Sequence, residues 1–190
     1  MAGIIEPPAR LLLKIGVSPD AVTVIGCVGA SAAALWFLPR GDFIVALVVI
    51  LVFALSDLLD GTMARMRGTS GPWGNFLDAT LDRVTDGAVF AGLALYGARM
   101  DLPWVTGGAL LAVVTGQVVS YAKARAEAVG ATANVGIAER AERLILVGVG
   151  VLLAGLGVSL ALPIALWVVG VLGIVTILQR ILHVRGQLRS

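Results

Sequence analysis

Five of the 12 acidic residues, Asp57, Asp60, Asp78, Asp82 and Asp86, fall within one stretch at residues 56–87. Each residue of an α-helix advances about 100°, so Asp57 and Asp60 share one helical face. Asp78 and Asp82, four apart, share a face on the next helix, and Asp86 lies one turn further on. The segment 68–72 is rich in Gly, Thr, Ser and Pro and joins the two helices. An antiparallel helix pair brings the two carboxylate faces together. Four carboxylates so close repel one another and are costly to desolvate, so something must neutralise them. With one cysteine, Cys27, and one histidine, His183, thiolate and multi-histidine centres are excluded. An all-oxygen set suits Mg²⁺, Mn²⁺ or Ca²⁺. Four aspartates suffice for two ions with shared ligands, an arrangement that clamps a diphosphate and stabilises in-line phosphoryl displacement. The alternative without metal is a set of Asp–Arg pairs using Arg65, Arg67 and Arg83. Asp86 reads as a structural partner of Arg83, three residues before it.

Those carboxylates must be positioned by an unusually apolar chain. Of its 190 residues 58% are hydrophobic and 14% charged, where soluble domains carry about 25% charged residues. This composition indicates a membrane protein. It excludes a disordered chain, a disulfide scaffold and an ordinary nucleic-acid-binding domain. A bilayer crossing needs roughly 20 apolar residues per helix. The pattern predicts an all-α fold, a single domain over 1–190. It comprises a six-helix transmembrane bundle with spans near 21–38, 43–66, 75–98, 103–126, 139–158 and 160–184. Residues 4–16 read as a short interfacial helix rather than a signal peptide. With six spans in place, only Arg40 and Arg99 of the 14 basic residues fall on one side. The positive-inside rule makes the other side cytoplasmic, with both termini and the aspartates there, in a multi-pass protein of the cell membrane.

The aspartates belong to a longer pattern: Asp57, Asp60-Gly61, Ala64-Arg65, Gly74, Asp78 and Asp82 at fixed spacing. These eight residues reproduce the signature of the CDP-alcohol phosphatidyltransferases, and the chain is identified as a member of that family. It resembles most closely the actinobacterial phosphatidylinositol phosphate synthases, through 16–23, 82–90, 120–127, 139–144 and Gln179-Arg180. The resemblance implies transfer of the phosphatidyl group from CDP-diacylglycerol to inositol 1-phosphate, with release of CMP. It implies two Mg²⁺ or Mn²⁺ ions, one held by Asp57, Asp60 and Asp78, the other by Asp57, Asp78 and Asp82. Asp82 would also be the general base, a role that requires it near the attacking oxygen. Asp20, Ala21, Val22 and Thr23 would contact the cytidine. Gly61 and Ala64 would let the nucleotide approach the helix, Arg65 would bind a phosphate, and loop amides near Gly71 would reach the diphosphate. A homodimer is likewise implied by the resemblance alone.

A phosphorylated acceptor needs fixed positive charge. Lys123, Arg125, Arg140, Arg143 and Arg180 stand at the cytoplasmic ends of the fourth, fifth and sixth spans and are the candidates. The bland role for such residues is orientation or contact with anionic lipid, which is the reading for Arg185 and Arg189. Phosphatidylglycerophosphate synthesis is an alternative reaction, because its acceptor is also a phosphorylated alcohol. A divalent-cation transporter would also use intramembrane carboxylates, but the acids cluster at one face and no polar path continues beyond Asp86. A structural scaffold does not account for the complete signature.

Overall fold

The computed structural model describes residues 2–68 and 71–189, with the side chains of residues 2–4 and of Asp57 outside that description. The described residues are helical with short connections. In chain order the helices are α1 (Ala2–Lys14), α2 (Pro19–Phe37), α3 (Phe43–Ala54), α4 (Ser56–Arg67), α5 (Pro72–Arg99), α6 (Pro103–Ala128), α7 (Arg140–Gly155) and α8 (Ala161–Arg189). A 3₁₀ turn at Leu38–Arg40 follows α2.

Local chemistry sets the helix ends. Ser18 caps α2, its Oγ accepting from the Ala21 amide at 3.1 Å, and Pro19 fills the first helical position, where its missing N–H costs nothing. Gly68 closes α4 in the left-handed conformation, at φ 66°, which a residue with a Cβ rarely adopts. The sequence predicts one continuous helix over 43–66; Leu55 instead interrupts it, separating the wholly apolar α3 from the motif-bearing α4. Close packing accompanies that junction. A Cβ on Gly26 of α2 would collide with the Ser56 hydroxyl, which itself donates to the Phe53 carbonyl at 2.5 Å.

Small residues hold the bundle together. The Ala34 carbonyl of α2 lies where a Cβ on Gly92 of α5 would stand at 2.7 Å, so the two backbones touch. Gly108 of α6 faces Leu166 and Trp167 of α8, and Gly173 of α8 faces Thr115 of α6. Such approaches supply van der Waals packing where a bilayer offers no hydrophobic drive between helices. The main core joins Ala34, Phe43, Leu93, Ala109, Val147 and Leu166. α1 packs separately, placing Ala9 against Val22 and Met63 beside α4.

Among the described residues four helical stretches are long and apolar enough to cross a membrane: Pro19–Arg40, Phe43–Arg67, Pro103–Ala128 and Ala161–Arg189. Their outward faces expose Ile25, Val48, Val114 and Ile174, surface that only lipid covers well. The protein is a multi-pass membrane protein. α5, of 28 residues, is long enough but carries the motif's charged turns; α7 has 16 residues.

Candidate active site

The motif-side ends of α2, α4, α5, α6, α7 and α8 converge. On α4, Asp60 is only 8% exposed, and Thr23 of α2 donates its hydroxyl to Asp60 Oδ2 at 2.5 Å. Gly61, Ala64 and Arg65 lie on the same side and border a groove of about 640 Å³, together with Asp20, Thr23, Gly71 and Asp78. A Cβ on Gly61 would meet only the Arg65 guanidinium, at 3.8 Å, and one on Gly74 would meet nothing within 4 Å. Neither glycine is required by packing. Both leave space open that a side chain would fill.

On α5, Asp78, Asp82 and Asp86 fall at successive turns of one face. Asp86 is buried among three guanidiniums: Arg83 at 3.3 Å, Arg140 at 3.3 Å and Arg143 at 3.9 Å. It is therefore a structural counter-charge, and the Arg83 pairing expected from their spacing is present. Arg140 bonds Asp82 at 2.7 Å, with Arg83 at 3.9 Å. Asp78 makes no hydrogen bond or ion pair with any described residue. Among the described residues Arg65 and Arg67 pair with no aspartate; Arg65 instead donates to Thr62 at 3.1 Å. The Asp–Arg alternative thus applies to Asp82 and Asp86 and leaves Asp78 uncompensated.

A second cavity, of about 860 Å³, lies beyond Asp82. Its walls include Arg83, Lys123, Arg140, Arg143 and Arg180. Two of these are nearly inaccessible, Arg143 at 2% and Arg180 at 3%. Arg180 donates to the carbonyls of Val135 at 3.0 Å and Val119 at 2.6 Å, and to Glu139 at 3.2 Å. Arg143 donates to the Ala138 carbonyl at 3.1 Å. Its Nη2, like Arg83 Nε, is buried without a hydrogen-bond acceptor. Among the described residues the nearest carboxylate to that Nη2 is Asp86, beyond hydrogen-bond reach at 3.9 Å, and a cavity wall this rich in guanidiniums favours an anion.

The two spaces meet along α5. A pocket of about 80 Å³ between them is bordered by Thr23, Asp78, Asp82 and Asp86. Asp78 belongs to this pocket and to the groove, while Asp82 belongs to this pocket and to the cationic cavity. One helical turn therefore connects the two spaces through carboxylates. The carboxylate donors and the uncompensated Asp78 fit hard divalent cations. Asp57, expected to share both ions, has a side chain outside the described residues.

The structure does not bring every expected residue to these spaces. Arg125 is exposed and does not border the cationic cavity, because it sits about 200° around α6 from Lys123. Val22 turns away from the groove to pack on Ala9 and Met63, and Ala21 does not border the groove either, its amide being spent on the Ser18 cap. Arg140 and Arg143 face the cavity while also pairing with Asp86. Arg83, Gln117, Ser120 and Glu139 border the cavity but were not expected there. Arg83 had a signal, its adjacency to Asp82, but read only as a counter-charge. Trp73, which borders the groove, had none.

The family model for CDP-alcohol phosphatidyltransferase matches residues 16–182. The chain belongs to that family. A family relative, the phosphatidylinositol phosphate synthase of Streptomyces avermitilis, is 47% identical over 192 residues, covering 97% of this chain and 79% of its own. The crystal structure of Mycobacterium tuberculosis phosphatidylinositol phosphate synthase with CDP-DAG bound superposes with a TM-score of 0.91 at 41% identity, covering 96% of this chain and 94% of that one. The same enzyme in complex with manganese and citrate gives 0.89 at 42% identity, covering 95% and 88%. The groove and carboxylate turn lie inside the matched region, as does the cationic cavity.

Proposed function

We propose that the protein is a phosphatidylinositol phosphate synthase, which transfers the phosphatidyl group of CDP-diacylglycerol to inositol 1-phosphate and releases CMP. One observation carries this reading: the Asp78–Asp82 turn joins a groove suited to a nucleotide diphosphate to a cavity rich in guanidiniums. The donor occupies the groove. Asp20 and Thr23 lie on its α2 side, Gly61 and Ala64 leave room for the nucleotide, and Arg65 donates to a phosphate. Gly71 borders it at the entry to α5. The phosphate of the acceptor occupies the cationic cavity, met by Lys123, Arg140, Arg143 and Arg180.

Asp57, Asp60, Asp78 and Asp82 would hold two Mg²⁺ or Mn²⁺ ions, which when bound neutralise the diphosphate and stabilise the charge that builds on it during transfer. The residues of the chain do the rest. Asp82 takes the proton of the attacking hydroxyl at a carboxylate oxygen. Arg140 occupies that carboxylate at 2.7 Å, so Asp82 acts as a base once the guanidinium turns to the acceptor phosphate. Asp86 keeps Arg83 and Arg143 in place throughout.

The same reading places α1 at the membrane surface, completes six spans with α5 and α7, and sets the site and both termini at the cytoplasmic face of the cell membrane. Two copies associate as a homodimer, which mass measurement of the detergent-solubilised protein reads directly. The deciding experiment supplies CDP-diacylglycerol with inositol 1-phosphate, glycerol 3-phosphate or free inositol and follows CMP release. Release only with inositol 1-phosphate is expected. Preference for glycerol 3-phosphate would make the protein a phosphatidylglycerophosphate synthase.

A further inference from the structure

Trp73 has a geometry that neither metal binding nor acceptor binding uses. Its indole Nε1 donates to Asp20 Oδ2 at 3.0 Å, tying the first turn of α5 to the first turn of α2. The ring is thereby fixed, yet the residue remains 61% exposed. It borders the groove that holds Asp20, Gly61, Ala64 and Arg65, with Gly71 and Gly74 flanking it and contributing no side chain. Phe76 stands behind it, ring centroids 6.0 Å apart and planes 31° apart. Phe76 borders the cationic cavity instead, so the aromatic pair stands between the two spaces.

An exposed tryptophan at one end of a bundle is often an interfacial anchor. The other three tryptophans fit that role at the opposite end. Trp36 lies beneath the Arg40 guanidinium at 3.8 Å, and Trp104 and Trp167 form an edge-on pair at 5.7 Å, with the Trp167 indole bonded to the Trp104 carbonyl. Trp73 stands apart from them, with its polar tip held by a groove residue rather than left to headgroups. The groove already supplies cationic groups for phosphates, in Arg65 and Arg67, but among its walls Trp73 is the aromatic surface for a flat base.

We propose that Trp73 is the stacking platform for the cytosine base of the donor, with Asp20 as the residue that positions its ring. This rests on the donor assignment above. A ring locked before binding gives up little further freedom when the base arrives, so most of the stacking energy is realised. One base–aromatic stack is worth about 1–3 kcal/mol, which at 1.4 kcal/mol per factor of ten is roughly 5- to 150-fold in affinity.

The test uses the full chain in detergent with Mg²⁺ present, titrated with CMP and, as a probe lacking the base, with pyrophosphate. Calorimetry should show Trp73→Ala weakening CMP roughly 5- to 150-fold, leaving pyrophosphate unchanged, and Trp73→Phe recovering most of the loss. In a second variant with Trp36, Trp104 and Trp167 replaced by Phe, CMP should quench the remaining emission saturably and pyrophosphate should not. Unchanged CMP affinity in Trp73→Ala overturns the proposal and assigns the ring to the membrane surface. Equal weakening of CMP and pyrophosphate also overturns it, since the residue would then shape the groove rather than stack. Wild-type protein that binds pyrophosphate but not CMP removes the donor assignment itself, and the stacking with it.

Discussion

Lys123 and Arg180 border the same cavity, yet the structure assigns them different consequences on removal. Lys123 is half-buried and makes no hydrogen bond or ion pair with a described residue. Its replacement by Met keeps the stem, breaks nothing in the fold and deletes one charged contact with the acceptor phosphate. A hydrogen bond to a charged group is worth about 1.5–3 kcal/mol, so KM for inositol 1-phosphate should rise roughly 10- to 150-fold. KM for CDP-diacylglycerol should stay put. Arg180, by contrast, spends its guanidinium on Val135, Val119 and Glu139 and is 3% exposed. Removing it strands the Val119 and Val135 carbonyls, and a buried polar group left without its partner costs about 1–3 kcal/mol. For a chain of this size that lowers Tm on the order of 10 °C. The assay is initial-rate kinetics with each substrate varied at saturation of the other, beside thermal melting in detergent. The reasoning fails if Lys123→Met shifts both KM values equally, or if it melts as early as Arg180→Met.

Asp82→Asn should keep CMP binding, measured by calorimetry, while turnover falls about 10²- to 10⁴-fold, the usual contribution of a positioned base; full turnover removes Asp82 from that role. Excess EDTA should abolish CMP release, and added Mg²⁺ or Mn²⁺ should restore it, whereas activity that survives the chelator contradicts the cation reading. Gly92→Ala should lower Tm, because the new Cβ would lie 2.7 Å from the Ala34 carbonyl and 3.1 Å from Leu38 Cβ, and overpacking of this kind costs about 1–3 kcal/mol. An unchanged melt would mean that α2 and α5 separate freely at that point.

What the sequence made legible was local. The family signature singled out Gly61, Ala64 and Arg65, which border the groove with Asp60, and the four-residue spacing placed Asp78 and Asp82 on one side of α5, where the small pocket lies. The Arg83–Asp86 pair followed from the same arithmetic. The illegible part was long-range. Arg140 reaches Asp86 across 54 residues of chain and Trp73 reaches Asp20 across 53, and no spacing rule covers either. Arg143 and Arg180 stood out in sequence only as cations at a membrane face. That backbone carbonyls also fix their guanidiniums at the wall of the cavity is visible only in the fold. Arg125 was grouped with Lys123 by proximity, although two residues along a helix point to different sides. The interruption at Leu55 had no Pro or Gly to announce it; in the folded chain it falls where Ser56 and Phe53 pack against Gly26 and Gly29.

Because Asp78 and Asp82 are a single helical turn apart, about 6 Å along α5, the nucleotide groove and the guanidinium cavity are within reach of one molecule. A cytidine-like head tethered to a polyanionic tail would engage both at once. The second contact would then form at the high effective concentration set by the tether rather than by bulk solution. A bisubstrate inhibitor of that shape would gain selectivity from the spacing itself, since an enzyme with either half alone would bind only half of it.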